Sequence, residues 1–203
     1  MSELERWESR FAAPGYLFGT EPNAFLKSKA DLLKSKAGGK ALSLADGEGR
    51  NGVFMAEQGL DLLAIDFSPQ ALAKSRALAK ERGVTIRTEQ ADIASWAFPQ
   101  TAFDVIVGIF FQFTPPDVRA GVFAGIKRAL KPGGLLLMEG YTPKQLQYKT
   151  GGPSEVENLY TRELLEKSFS DFSKIEIAEY DSEIHEGPGH GGMSSLIDLV
   201  GRK

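Results

Sequence analysis

The sequence predicts an α/β fold: a single domain with a doubly wound, seven-stranded, mostly parallel sheet, an antiparallel C-terminal hairpin and an N-terminal helical lid. Three observations carry this. First, solid apolar runs such as Ala41–Ala45, Asp61–Asp66 and Phe103–Ile109 alternate with helix-length segments, the pattern of parallel strands buried on both faces. Second, Ala41–Ala45 leads through a turn holding Gly47 and Gly49 directly into a helix. Third, Lys174–Tyr180 and Ser195–Val200 are joined by the Gly-rich stretch Glu186–Gly192 with no crossover helix, which two antiparallel strands permit and two parallel strands do not.

Taken in order, residues 1–37 read as helical and amphipathic. Leu4, Trp7 and Phe11 fall on one helix face, and packing alone accounts for such a stripe. Pro14–Pro22 is a loop between breakers, yet it carries Tyr16 and Phe18. Large apolar groups on a loop imply that it folds over the core edge or over a ligand. A helix from Thr20–Pro22 to Lys36 ends at Gly38-Gly39. The helix from Arg50 stops at Gly59. Ser68 caps the next helix with Pro69 at its first position, and Gly83 closes it after Arg82. Val84–Thr88 reads as the third strand, Asp117–Leu130 as a helix, Lys131–Gly134 as a turn and Leu135–Glu139 as the fifth strand. Arg162–Phe169 is the last helix.

Composition narrows the function. The chain of 203 residues is 42% hydrophobic and 25% charged, the balance of an ordinary globular domain. It has no cysteine, which removes disulfides, thiol nucleophiles and thiolate metal sites. A net charge of −3 without a dense basic block argues against a nucleic-acid surface. No apolar run approaches the ~18 residues of a membrane span, and residues 1–6 lack a basic and apolar leader. The lack of cysteine agrees with a reducing cytoplasm, the expected location; a monomer or a homodimer is expected, with nothing in the sequence to choose between them.

In a doubly wound sheet, ligands sit beyond the carboxyl ends of the strands. There the glycine turn lets the backbone approach a ligand, because a Cβ would block it or forbid a positive φ. Asp66 ends the second strand and suits the two hydroxyls of a ribose. Phe67 offers an apolar face, Asp92 an acceptor for an exocyclic amine and Ile93 a packing surface for a base. Gly108-Ile-Phe-Phe-Gln112 closes the fourth strand beside the place for chemistry. Each piece alone is commonplace; their joint order at the correct strand ends carries the inference.

Leu42–Gly52, Ile65–Pro69, Ala91–Ile93 and Leu130–Gly134 together resemble the ordered motifs of class I S-adenosylmethionine-dependent methyltransferases. The resemblance is to the small bacterial enzymes of the tellurite-resistance and thiopurine methyltransferase type, which Trp7 and Tyr16–Asn23 also fit. It implies a Rossmann-like domain spanning 1–203: an N-terminal helical cover (1–37), a cofactor-binding core (38–140), and an acceptor-side cover with the C-terminal hairpin (141–203). It also implies S-adenosyl-L-methionine as cofactor. Ala45, Asp46, Gly47 and Gly49 would surround its methionine portion, Asp66 the ribose, Phe67 and Ile93 the adenine faces, and Asp92 the adenine amine. Tyr16 and Ile109 complete the cofactor-binding set. Two positions depart from the family pattern: Ser43 replaces an acid of the first strand, and Ala45 replaces the first glycine of the turn.

The methyl acceptor is then a small molecule, with a soft nucleophile such as a thiol or chalcogen oxyanion as one class. Phe18, Phe110, Phe111, Tyr141 and Tyr148 form the expected substrate pocket. Candidates for a catalytic base are His190, Glu139 and Tyr148, although a histidine in a Gly-rich loop is more often solvent-exposed or structural. Two histidines without a thiolate make no metal site. Arg50, the cation nearest the turn, reads as a helix-surface ion-pair partner. Two other functions stay open. A cofactor-binding sensor without catalysis is favoured by Ser43 and Ala45. A dinucleotide oxidoreductase is favoured by the literal Gly47-x-Gly49-x-x-Gly52 pattern.

Overall fold

The computed structural model describes residues 2–203. Five strands run parallel: β1 (Lys40–Leu44), β2 (Asp61–Asp66), β3 (Arg87–Gln90), β4 (Phe103–Ile109) and β5 (Leu130–Tyr141). The C-terminal strands β6 (Lys174–Glu186) and β7 (His190–Arg202) complete one seven-stranded sheet in the order β3-β2-β1-β4-β5-β7-β6. β7 is antiparallel to both neighbours. The chain reverses direction across the sheet between β1 and β4, so their carboxyl ends form the crevice where ligands bind in such folds.

The helices are α1 (Glu3–Phe11), α2 (Ala24–Ser28), α3 (Ala30–Lys34), α4 (Arg50–Glu57), α5 (Pro69–Glu81), α6 (Pro116–Ala129), α7 (Gln145–Tyr148) and α8 (Arg162–Ser168). Two cores flank the sheet. One buries Ile106, Leu136, Phe123 and Phe169 under α6 and α8. The other buries Val105, Val107, Leu135 and Leu137 under Phe25, Leu26, Leu33 and Phe54 of α2–α4. Local chemistry explains the helix starts: a capping box between Ser2 and Glu5 opens α1. Asn23, Ser68 and Thr161 cap α2, α5 and α8 through their side chains.

Several elements differ from expectation. The helix expected from Thr20–Pro22 to Lys36 is two short helices broken at Lys29. The Ser28 hydroxyl bonds back to the Phe25 carbonyl at 2.7 Å, a contact that bends helices. The third strand begins at Arg87 rather than Val84, because the Val84 N–H is still bonded to the Ala79 carbonyl at the end of α5. β1 stops at Leu44, since Ala45 has φ +47° and cannot continue a strand. The stretch read as a Gly-rich loop, Glu186–Gly192, is mostly strand: only residues 187–189 turn between two strands of thirteen residues.

Candidate active site

The glycine turn is built as its sequence requires. Ala45, Gly47 and Gly49 all have positive φ, at +47°, +58° and +96°. A side chain at Gly49 would place its Cβ 2.7 Å from Ser75 Cα on α5, so helix packing also demands a glycine there. Asp46 turns inward. Its Oδ1 accepts hydrogen bonds from the Ser43 hydroxyl at 2.6 Å and from the Gly52 N–H at 2.9 Å. Ser43 therefore braces Asp46, and Asp46 holds the turn onto α4. Burial pushes the Asp46 carboxyl up to about 7, against the opposing pull of those two donors.

Asp66 joins the turn to the end of β2. It accepts from the Gly47 N–H at 2.8 Å and the Ser68 N–H at 2.9 Å. Burial raises its pKa, and the Glu8 charge adds to the rise. A carboxylate has about four lone-pair sites, so acceptor capacity remains for hydroxyl groups. Phe67 is half-buried beside it, and Ile93 is buried in the core after β3. Asp92 is exposed and caps its own turn through the Ala94 N–H at 2.9 Å.

The N-terminal segment covers this turn. Phe11 approaches Gly47, with its Cζ 3.8 Å from where a Cβ would stand. Trp7, Phe11 and Phe18 form one aromatic cluster, with Trp7 and Phe11 stacked at 5.4 Å. Polar clasps hold the cover down. The Ser68 hydroxyl donates to Glu8, and the Leu17 N–H donates to Glu48 at 2.7 Å. Lys74 donates to Glu48 and to the carbonyls of Ala13 and Gly15 at 2.6–2.7 Å. Tyr16 lies over Lys74 and reaches its carbonyl at 3.4 Å.

A second cluster forms where the cover meets the C-terminal hairpin. His190 is only 6% exposed; it sits at the start of β7, not in a flexible loop. Its Nδ1 lies 2.8 Å from Glu186 Oε2, and its Nε2 meets the Tyr141 hydroxyl. Phe110 packs on the imidazole edge-on at 4.8 Å and stacks on Tyr141 at 4.7 Å. Phe18 closes the other side. Glu186 is the hub: it also accepts from Arg50 at 2.7 Å and from Asn23 at 3.0 Å. Burial favours its neutral form, but the His190 and Arg50 hydrogen bonds and the Arg50 charge outweigh that and hold it at about 2. Arg50 is thus buried at the site rather than on a helix surface. Asn23 donates a second bond, at 2.8 Å, to Glu139.

Phe110 has φ +55°, a strained backbone for a bulky residue, and its N–H is held by the Glu139 carbonyl. The kink sends Phe110 toward Tyr141 and Phe111 the other way. Phe111 is 1% exposed and packs against Tyr160 in the core, so it does not line this cluster. Ile109 is buried in the opposite core. Tyr148 lies on α7 with its hydroxyl on Asp181 at 2.9 Å, apart from His190 and Tyr141. Glu186, Asn23 and Glu8 were not singled out from the sequence. Asn23 before an apolar run signals a helix cap, but nothing local marks Glu186, whose partners Arg50 and Asn23 lie far away in the chain.

A parallel sheet with a glycine turn after β1 and a buried acid ending β2 defines a fold that binds a nucleoside cofactor at its carboxyl edge. Residues 41–134 match the family model described as "Methyltransferase domain". That stretch, just under half of the chain, holds the glycine turn, Asp66 and Asp92, the positions whose motifs resemble those of class I S-adenosylmethionine-dependent methyltransferases. The chain is 33% identical over 115 residues to a demethylmenaquinone methyltransferase of Thermus thermophilus, covering 56% of this chain and 52% of that protein. It is 26% identical over 164 residues to a 2-heptyl-1-hydroxyquinolin-4(1H)-one methyltransferase of Mycobacteroides abscessus, covering 78% and 72%. The match thus spans about half the length of the first of these relatives. Among solved structures, TehB from Haemophilus influenzae superposes with a TM-score of 0.73 at 18% identity, over 98% of this chain and 66% of that one.

The residues present fit the cofactor. The three positive-φ positions keep backbone and not side chain at the mouth of the turn. Asp66 is buried and fixed by backbone donors. No group of three or more His, Asp or Glu among the described residues is arranged to hold a metal. Nor is any described helix long and apolar enough to cross a membrane.

Proposed function

We propose that this chain transfers a methyl group to a small-molecule acceptor bearing a removable proton, a hydroxyl or a thiol, and that His190 takes that proton through Tyr141. The observation that carries it is the buried line Tyr141–His190–Glu186 beside Arg50, which follows the glycine turn directly. The bound cofactor supplies an activated methyl group, so the protein's work is alignment, exclusion of water and proton removal. Ala45, Gly47 and Gly49 would hold its methionine portion, Asp66 the ribose, Phe67 and Ile93 the adenine, and Asp92 the adenine amine.

Glu186 stays ionised and fixes the imidazole. With Nδ1–H donating to Glu186, Nε2 is the free acceptor and takes the Tyr141 hydroxyl. Burial, with the charges of Glu186 and Glu139, pushes the Tyr141 phenol well above its usual range, so it remains protonated. An acceptor proton then passes to the Tyr141 oxygen while the Tyr141 proton moves to His190. The resulting imidazolium is stabilised by Glu186. Phe18 and Phe110 shield the line from water.

The chemistry suits sulfur and oxygen alike. A thiol matches the soft nucleophile expected from the sequence. The Mycobacteroides abscessus relative, whose name carries a 1-hydroxyquinolinone, favours a hydroxyl. Assays with radiolabelled methyl donor against matched thiol and hydroxyl acceptors test both. His190→Gln is expected to lower kcat by about 100-fold or more at neutral pH, with partial recovery as pH rises and the acceptor ionises unaided. Unchanged kcat and an unchanged pH profile in His190→Gln would exclude His190 as the base.

A further inference from the structure

A cleft of about 360 Å³ opens between α2 and the β6–β7 hairpin, adjoining the Tyr141–His190 line through Asn23 and Glu186. Its floor is the pair Glu139 and Asp198. These residues stand directly opposite each other in the β5–β7 ladder, so both carboxylates project from the same face. Glu139 is 2% exposed and Asp198 9%. Asp198 Oδ1 is buried and has no hydrogen-bond partner among the described residues. Phe25, Ile184 and Leu196 supply apolar walls.

Two buried carboxylates facing each other repel, and a buried oxygen without a donor is costly. Nearby groups relieve this only in part. The Tyr180 hydroxyl faces both carboxylates. Asn23 donates to Glu139 alone. Lys29 acts on Asp198 by its charge, while its ammonium rests over the Phe25 ring at 5.3 Å. At the rim, Glu183 and His185 face each other at 3.8 Å, and Glu186 is committed to Arg50 and His190.

We propose that this cleft binds a small organic ammonium ion, its N–H groups donating to Asp198 and Glu139 and its alkyl chain lying on Phe25, Ile184 and Leu196. The ligand supplies both what the pair lacks, a positive charge, and what Asp198 Oδ1 lacks, a donor. The site stands on its own geometry and does not depend on the methyl-transfer reading. Empty, the pair retains a proton: burial raises both groups, Asp198 to about 6 and Glu139 well above the carboxylate range with the Asp198 charge contributing. A bound ammonium ion expels that proton, so affinity rises with pH over the range where the pair is still protonated. The limit for one proton released is about tenfold per pH unit.

Calorimetric titration of the full chain with n-propylammonium chloride tests this at pH 6, 7 and 8, in paired buffers of different ionisation enthalpy. The expected result is saturable 1:1 binding, tightening with pH and releasing close to one proton. Propionate should not bind, and tetramethylammonium, which has no N–H donor, should bind at least about tenfold more weakly. Asp198→Asn should weaken n-propylammonium at least about tenfold, whereas His185→Gln should retain both binding and proton release. Absence of saturable binding, equal binding of tetramethylammonium, binding without proton release, or loss of proton release in His185→Gln would each overturn the proposal. Should Asp198→Asn fail to fold, the wild-type pH dependence and the ion comparison decide alone.

Discussion

Ala45 spends its side chain in a place built for glycine. At φ +47° its Cβ crowds the backbone, a strain of about 1–2 kcal/mol for an L-residue. Ala45→Gly is therefore expected to raise stability by about 1 kcal/mol, seen as a higher urea midpoint at unchanged slope. An unchanged or lower midpoint would mean the turn is not strained there. Asp66 presents a different balance, because its two oxygens already hold the Gly47 and Ser68 N–H groups. Asp66→Ala is expected to abolish cofactor binding by calorimetry. Asp66→Asn, which keeps an acceptor for the turn, should still weaken it by at least about tenfold. Wild-type affinity in both variants would show that Asp66 does not hold the ribose.

At the scale of elements, the cover and the hairpin form one clasp over the turn. α1 and the loop to residue 22 bury little of their own: among the described residues before Asn23, Phe11 is the only buried apolar one, and it lies outside both central cores. Their anchors are the Glu8, Leu17 and Lys74 contacts and the Gly187–Gly189 turn. A Cβ at Gly187 would collide with Gly19, and the Gly189 N–H donates to the Leu17 carbonyl at 2.7 Å. Segments with few apolar contacts open at a fraction of the global unfolding free energy. Removing residues 2–22 is therefore expected to leave the melting temperature within a few degrees, while lowering turnover at least about tenfold through loss of the Phe18 shield. A truncated chain with full activity would show that the cover takes no part in catalysis.

For the whole molecule, stability should follow its buried acids. Burial pushes Asp46 up to about 7 and Asp198 to about 6, and raises Asp66 and Glu139 in the same direction. Each keeps its proton when folded at a pH where the unfolded chain has released it. By linkage, stability is then lost as pH rises from about 4 through about 7. Glu186 works the other way, but its window lies between its ordinary 4.5 and about 2, so it matters only in acid. Without cofactor, the melting temperature is expected to fall by several degrees from pH 5 to pH 8. Asp46→Asn should flatten that slope. A flat or rising wild-type profile would contradict the protonated buried acids.

The sequence by itself determined the layered fold and the cofactor edge, because both are written in local signals. Solid apolar runs specify parallel strands, the Gly47–Gly49 turn specifies close backbone approach, and Ser68-Pro69 specifies where α5 begins after Asp66. Only the tertiary structure decided the cluster proposed here as the acceptor side. Glu186 gains meaning from Arg50 and Asn23, distant residues brought to it by the lid and the hairpin, as well as from His190 across its own turn. Phe110 and Phe111 are adjacent and chemically alike, yet one positive φ sends the first to His190 and the second into the core. Glu139 and Asp198 become a pair only through the β5–β7 register. Charge and hydrogen-bond partners at these positions depend on which distant segments meet, and no local pattern encodes that.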